Sequence, residues 1–362
     1  MKHIWILMFI LVLLGTACQQ QEAAPSENEK VVPQEENKSE NENDSLSTIP
    51  VDIHFDDVMF QLNDLMEIVG GSYEFDEVHR TLKIKIHDDE YTLIDGVNVL
   101  ERNGEFVPRD DIYFTASQEH EIAMPVSFIE HGLQLPLSYK EDVAEFQWFG
   151  PTEKVGGPPA SFGFEEWDVE RMVDYLSFLE KPIKDATVST IPSHLPGAPR
   201  EYRNGYHEGI DWYDFASGGN INTDTPIYAM ADGVVVRVDH DYVEYESPEE
   251  RDKDLMLTSE IGETPEYIFD RLRGRQVWVQ YPHGVMNRFA HLDSIPEDIK
   301  VGDRVNSETI IGYVGNSGTS DAVNNKETAG LHLHQDLLIY GELFWKPLSQ
   351  EEVREVLVQI WE

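Results

Sequence analysis

The stretch His332-Leu333-His334-Gln335-Asp336-Leu337-Leu338-Ile339 decides how this chain is read. On an extended strand residues i and i+2 project to the same side, so His332 and His334 stand together over one space. Such a pair suits a metal ligand next to a second imidazole that handles protons or developing negative charge. A lone His-x-His serves equally well as an ordinary buried or surface pair. What lies upstream therefore matters.

Two upstream segments supply matching chemistry. His207-Glu208-Gly209-Ile210-Asp211 follows a turn-rich run that begins Leu195-Pro196-Gly197-Ala198-Pro199. Catalytic zinc is held by three protein ligands, imidazole or carboxylate, with one position left for water. His207, Asp211 and one histidine of the later pair make such a set. Arg288-Phe289-Ala290-His291-Leu292 offers a further histidine from a neighbouring strand. Between them, residues 225–236 read as two short strands around the turn Ala231-Asp232-Gly233.

In this order the residues resemble the lysostaphin/LytM family of zinc metalloendopeptidases, which cut peptide bonds of bacterial peptidoglycan. The family pattern is H-x-x-x-D, a histidine before leucine, and H-x-H. Val301-Gly302-Asp303-Arg304-Val305 and Gly312 to Ser320 resemble its turn segments. The resemblance covers roughly residues 190–348. It implies a mainly β fold, a small antiparallel, duplicated-hybrid-motif-like sheet carrying the site, behind a small α+β stalk. It also implies one Zn2+, with His207, Asp211 and His334 as ligands and His291 and His332 as the unligated catalytic histidines, and leaves open which of those two is the general base. Gln335 stands where the family usually has an aromatic residue, and Asp336 replaces a glutamate.

The N-terminus carries Lys2, an apolar run from Ile4 to Leu14, and Gly15-Thr16-Ala17-Cys18. A run this short falls below the roughly 20 residues that span a bilayer and fits a signal-peptide core. The segment resembles a bacterial lipobox. Residues 1–17 would be removed and Cys18 would carry lipid, anchoring the protein outside the cytoplasm; the alternative is an uncleaved anchor. With one cysteine in 362 residues, no intrachain disulfide can form. Residues 18–50 read as an acidic tether with little to bury, expected to be disordered. Its reach would be roughly 30 Å on average and about 110 Å when stretched.

Net charge is −42, and the eight acids and two lysines of residues 19–50 supply only −6 of it. A nucleic-acid partner is excluded by the missing basic footprint. Anionic wall polymers should repel the chain, which argues against tight nonspecific adhesion.

Residues 51–150 contain an internal echo. Leu62–Ile84 aligns without gaps onto Val126–Trp148, each copy reading as a short helix, a turn and a strand-like pair. This unit loosely resembles the stalk domain named after the N-terminal region of copper amine oxidases, with a spacer role and no implied copper. Residues 151–189 read as a linker with a bridging helix, 190–348 as the peptidase domain and 349–362 as a terminal helix. Within the peptidase segment, residues 239–275 form a long insertion. Its second part, Thr264-Pro265-Glu266 to Arg273-Gly274, has a helix's start and stop signals. It either walls or gates the groove or is a surface ornament.

The expected partners are peptidoglycan peptides, the membrane through the lipid, and other wall enzymes. A second class of function is a non-catalytic scaffold that activates another wall hydrolase. Relatives in that role have usually lost metal ligands, whereas all five polar positions stand here.

Overall fold

The computed structural model describes residues 46–54, 57–150 and 153–362. The segment expected to be a signal peptide, Cys18 and nearly all of the expected tether lie outside the described residues. The architecture is mainly antiparallel sheet with a few short helices. The described residues belong to one compact unit.

The site-bearing sheet has the strand order Ile210–Tyr213, His332–Ile339, Val285–Ala290, Val277–Gln280, Gly233–Val238 and Arg304–Val305. The His332–Ile339 strand lies inside the sheet, next to the edge strand, and is buried along its whole length. Leu333, Leu337 and Ile339 enter the main apolar core with Trp212 and Phe289. Gln335 points into that core as well. Its amide accepts from the Trp212 indole at 2.9 Å and donates to Asn287 at 3.0 Å. A glutamine is therefore tolerated in a position suited to an aromatic, because both ends of the amide are satisfied. The other face of the strand carries His332, His334, Asp336 and Leu338. The first three are polar, and the fourth joins a separate apolar cluster.

The N-terminal region builds its own core beneath a five-stranded sheet running from Ser72–Asp76 to Glu105–Val107. Both halves of the echo fold as a helical turn followed by a hairpin. The first has the helix Leu62–Val69 and the pair Ser72–Asp76/Thr81–Ile86; the second has the short helix Phe128–Gly132 and the pair Leu137–Lys140/Val143–Phe146.

Two features depart from the sequence reading. Ser47–Pro50, assigned by composition to the tether, pairs with Val143–Phe146 and buries Ile49 completely. One well-placed apolar residue and a free strand edge are enough to order it. The segment 51–150, read as a separate unit, also shares an apolar junction with the C-terminal sheet. Val97, Val99 and Phe106 pack on Val236, Trp278, Met286 and Leu338. Phe106 meets Trp278 edge to face at 5.3 Å, and its backbone N–H donates to Gln280 at 3.0 Å.

The insertion contains two helices, Pro248–Ile261 and Glu266–Arg273. The second was expected and the first was not. Arg237 pairs with Asp270, fastening the second helix to the sheet, and Arg251 donates to the Gly318 carbonyl at 3.0 Å, fastening the first to the turn after Ile310–Val314. Gly274 ends the second helix at φ 68°, against Ser317, where any Cβ would collide with backbone.

Candidate metal centre

Asp211 and His334 are direct cross-strand partners, as are Tyr213 and His332. His207 lies just before the Ile210–Tyr213 strand. It is brought in by the Gly209 turn, which passes so close to the His332–Ile339 strand that a Cβ would lie 2.3 Å from the Gln335 carbonyl oxygen. The three side chains converge. His207 Nε2 lies 3.0 Å from Asp211 Oδ1 and 3.2 Å from His334 Nδ1, and His334 Nδ1 lies 2.9 Å from Asp211 Oδ1. All three residues are buried.

Outer hydrogen bonds set the imidazole tautomers. The Nδ1–H of His207 donates to the Leu195 carbonyl at 3.1 Å, leaving Nε2 toward the centre. The Nε2–H of His334 donates to the Asp336 carboxylate at 2.7 Å, leaving Nδ1 toward the centre. Asp336 is fully buried and takes a second bond from Arg273 at 2.8 Å. Two imidazole lone pairs and a carboxylate oxygen thus face one point, and their ligand atoms all lie within 4.8 Å of one another. Such a donor set could hold a divalent cation, its imidazoles oriented from behind.

The electrostatics agree. Burial alone would raise the Asp211 carboxyl, but His207 and His334 hold it well below the usual range. Burial would lower His334, yet Asp336 and Asp211 outweigh it and lift the imidazole to about 9. A proton and a cation compete for the same lone pair.

His332 and His291 stand beside this set, their rings 4.7 Å apart. Each donates Nδ1–H to a backbone carbonyl at 2.7 Å, His332 to Gly330 and His291 to Ser317. That leaves each Nε2 as an acceptor. His332 Nε2 lies 3.8 Å from Asp211 Oδ1, and the ring stacks on Tyr213 at 4.2 Å. Burial pushes both imidazoles down, His291 well below its ordinary value. His291 holds φ at 61°, a strained left-handed conformation at a position facing the site.

A groove of about 210 Å³ opens over the site. The insertion forms one wall through Arg251, Phe269, Leu272 and Arg273, opposite Arg200 and Tyr202. Tyr202 and Tyr206, close by in sequence to His207, are mostly exposed. His283 occupies the turn between two strands. Ser317 is a turn residue, its hydroxyl donating to Leu292 and accepting from the Arg275 N–H. Sequence reasoning did not name Asp336 or Leu195 as the groups behind the imidazoles. Asp336 was within reach, because it follows His334 by two residues on the same strand face.

Residues 260–343 match the model of Peptidase family M23, which supports a LytM-type peptidase domain in this part of the chain. His291, His332 and His334 lie inside the matched segment, while His207 and Asp211 lie upstream of it. No curated protein matches the chain. Among solved structures it is similar to LytU (22% identity over 47% of this chain and 79% of that one, TM-score 0.26). It is also similar to the catalytic domain of lysostaphin from Staphylococcus simulans (19%, 50% and 90%, TM-score 0.26). A third likeness is to a zinc-containing peptidase from Vibrio cholerae (13%, 73% and 48%, TM-score 0.27).

Proposed function

We propose that this protein is a zinc-dependent endopeptidase that hydrolyses peptide bonds of bacterial peptidoglycan, held at the outer face of the cell membrane by lipid on Cys18. The observation that carries the chemistry is the convergence of His207 Nε2, Asp211 Oδ1 and His334 Nδ1, with each imidazole fixed by an outer acceptor. The family match over residues 260–343 supports a peptidase. The substrate and the anchor rest on resemblance: the wall peptide on the LytM-like motifs, the lipid on the segment ending at Cys18.

His207, Asp211 and His334 would hold the ion. Zinc bound there would polarise a peptide carbonyl and make water nucleophilic near neutral pH. The chain's own residues then divide the proton work. The bare Nε2 of His332 or His291 accepts a proton from the attacking water. The imidazolium so formed then returns that proton to the departing amine, so the proton taken from water leaves with the product. The carbonyls of Gly330 and Ser317 keep both rings aimed into the groove. The insertion limits access of bulk water from one side.

The test is incubation of the zinc-loaded full chain with purified peptidoglycan, followed by mass spectrometry of released fragments beside His334→Ala and His332→Ala. New peptide ends made by the wild type alone are expected. Intact wall material despite one tightly bound zinc would turn the reading to a scaffold for another hydrolase.

A further inference from the structure

A second cavity, of about 440 Å³, lies between the five-stranded N-terminal sheet and the site-bearing sheet. This is within the range of about 300–1,000 Å³ seen for small-molecule sites. A row of polar side chains crosses its floor. Glu74, Lys83, Thr92 and Glu101 are successive cross-strand partners on one face of the N-terminal sheet. Arg288 from the site-bearing sheet and Glu266 from the second insertion helix join the lining, as do Asp76 and His79 at the end of the N-terminal sheet. Where the same two sheets touch nearby, the contact is apolar, through Val99, Phe106 and Trp278. A polar row turned toward another sheet is not what packing alone would select.

Arg288 is the more telling group. It is 8% exposed, and its Nε is buried with no hydrogen-bond partner among the described residues. Its guanidinium lies 4.4 Å over the Trp278 ring, and Asp336, at 3.9 Å, is the carboxylate that pairs with it. A buried guanidinium nitrogen without a hydrogen bond is costly and calls for a partner. Across the cavity, burial lifts Glu101 to about 7 against the pull of Arg288 and with the help of Glu266 and Glu342.

The charges narrow the ligand. A simple anion on Arg288 would have Lys83 in the same lining but would face Glu74, Asp76, Glu101 and Glu266. A simple cation would leave Arg288 unmatched. No three carboxylate or imidazole groups here converge as they do at the metal centre, where the one such cluster among the described residues is found. We propose that this cavity is a second binding site, for an amino acid or short peptide with a free carboxylate and a free ammonium group. The carboxylate is taken in fork geometry by Arg288, and the ammonium by the Glu74, Glu101 and Glu266 side. The site does not depend on the peptidase reading, because none of its residues belongs to the metal set.

Alanyl-alanine is the probe. Calorimetric titration into the full chain, with tryptophan fluorescence as a second readout because Arg288 covers Trp278, should show saturable binding. N-acetylation or C-terminal amidation of the dipeptide should each weaken it at least tenfold. Arg288→Met and Glu101→Gln should do the same. If Arg288→Met fails to fold, Glu101→Gln and the blocked peptides still decide. No saturable binding, equal binding of the blocked peptides, unchanged affinity in Glu101→Gln, or tighter binding of putrescine would each overturn the proposal.

Discussion

The N-terminal and C-terminal regions of this molecule are both antiparallel sheet over an apolar core, but they treat polar side chains differently. Up to residue 150 the buried polar residues among the described ones are Thr81, Asp89 and Asn103. Their bonds are local in purpose: Asn103 donates to Asp89, and both anchor the backbone at Val155. In the C-terminal region, buried His, Asp and Arg residues form a continuous path from the groove inward through His334, Asp336, Arg273 and Arg288. Burying such groups costs stability unless every partner is supplied. The first region is built to hold a shape, the second to hold a set of lone pairs in place.

The sharpest way to break this contrast is to remove a converging lone pair. His334→Ala should abolish stoichiometric zinc binding and hydrolysis together, read by metal analysis and fragment release. Retained zinc would place the metal elsewhere. His332→Ala should keep its zinc and lose about 10²–10⁴-fold in kcat, the usual contribution of a positioned acid–base group. On the N-terminal side, Phe128→Ala removes a fully buried ring and should cost about 3–5 kcal/mol in chemical denaturation. The folded fraction should still bind one zinc. Asp336→Asn leaves shape nearly unchanged but weakens the acceptor behind His334, and should lower zinc affinity about 10–100-fold.

The smallest effect concerns pH at the junction of the two regions. Burial pushes the Glu101 carboxyl up to about 7 from an ordinary 4.5, with Glu266 and Glu342 adding to the rise and Arg288 and Lys83 opposing it. The folded state thus holds that proton more tightly than the unfolded state. Stability from this group is complete below pH 4.5 and is lost as pH rises to 7. Glu101→Gln should therefore gain on the wild type, on the order of 2 kcal/mol, between those pH values in denaturant melts. A constant difference across that window would show that Glu101 is solvated.

Much of the site was legible because strand periodicity is short. His332 and His334 share a face by their spacing alone, and Asp336 obeys the same rule although it was not read. The helix Gln350–Trp361 announces itself by Ser349 and Glu352, which form a reciprocal capping box. The first insertion helix was missed because its apolar residues follow no helical stripe. Its only signal was Ser247-Pro248-Glu249-Glu250, a capping serine, a first-turn proline and early acids. The junction of Val97, Val99 and Phe106 with Trp278 could not be read at all. It depends on which sheet faces are brought together by segments far apart in sequence.

Asp211 and His334 are 123 residues apart along the chain and touch through their side chains. An ion that recognises only this folded arrangement behaves as a removable cross-link in a chain with one cysteine. At a free concentration a hundred times its dissociation constant, such an ion adds about 2.7 kcal/mol to the folded state. The melting temperature would then rise and fall with available metal, so the same three residues would also tie the protein's lifetime to the zinc supply of its surroundings.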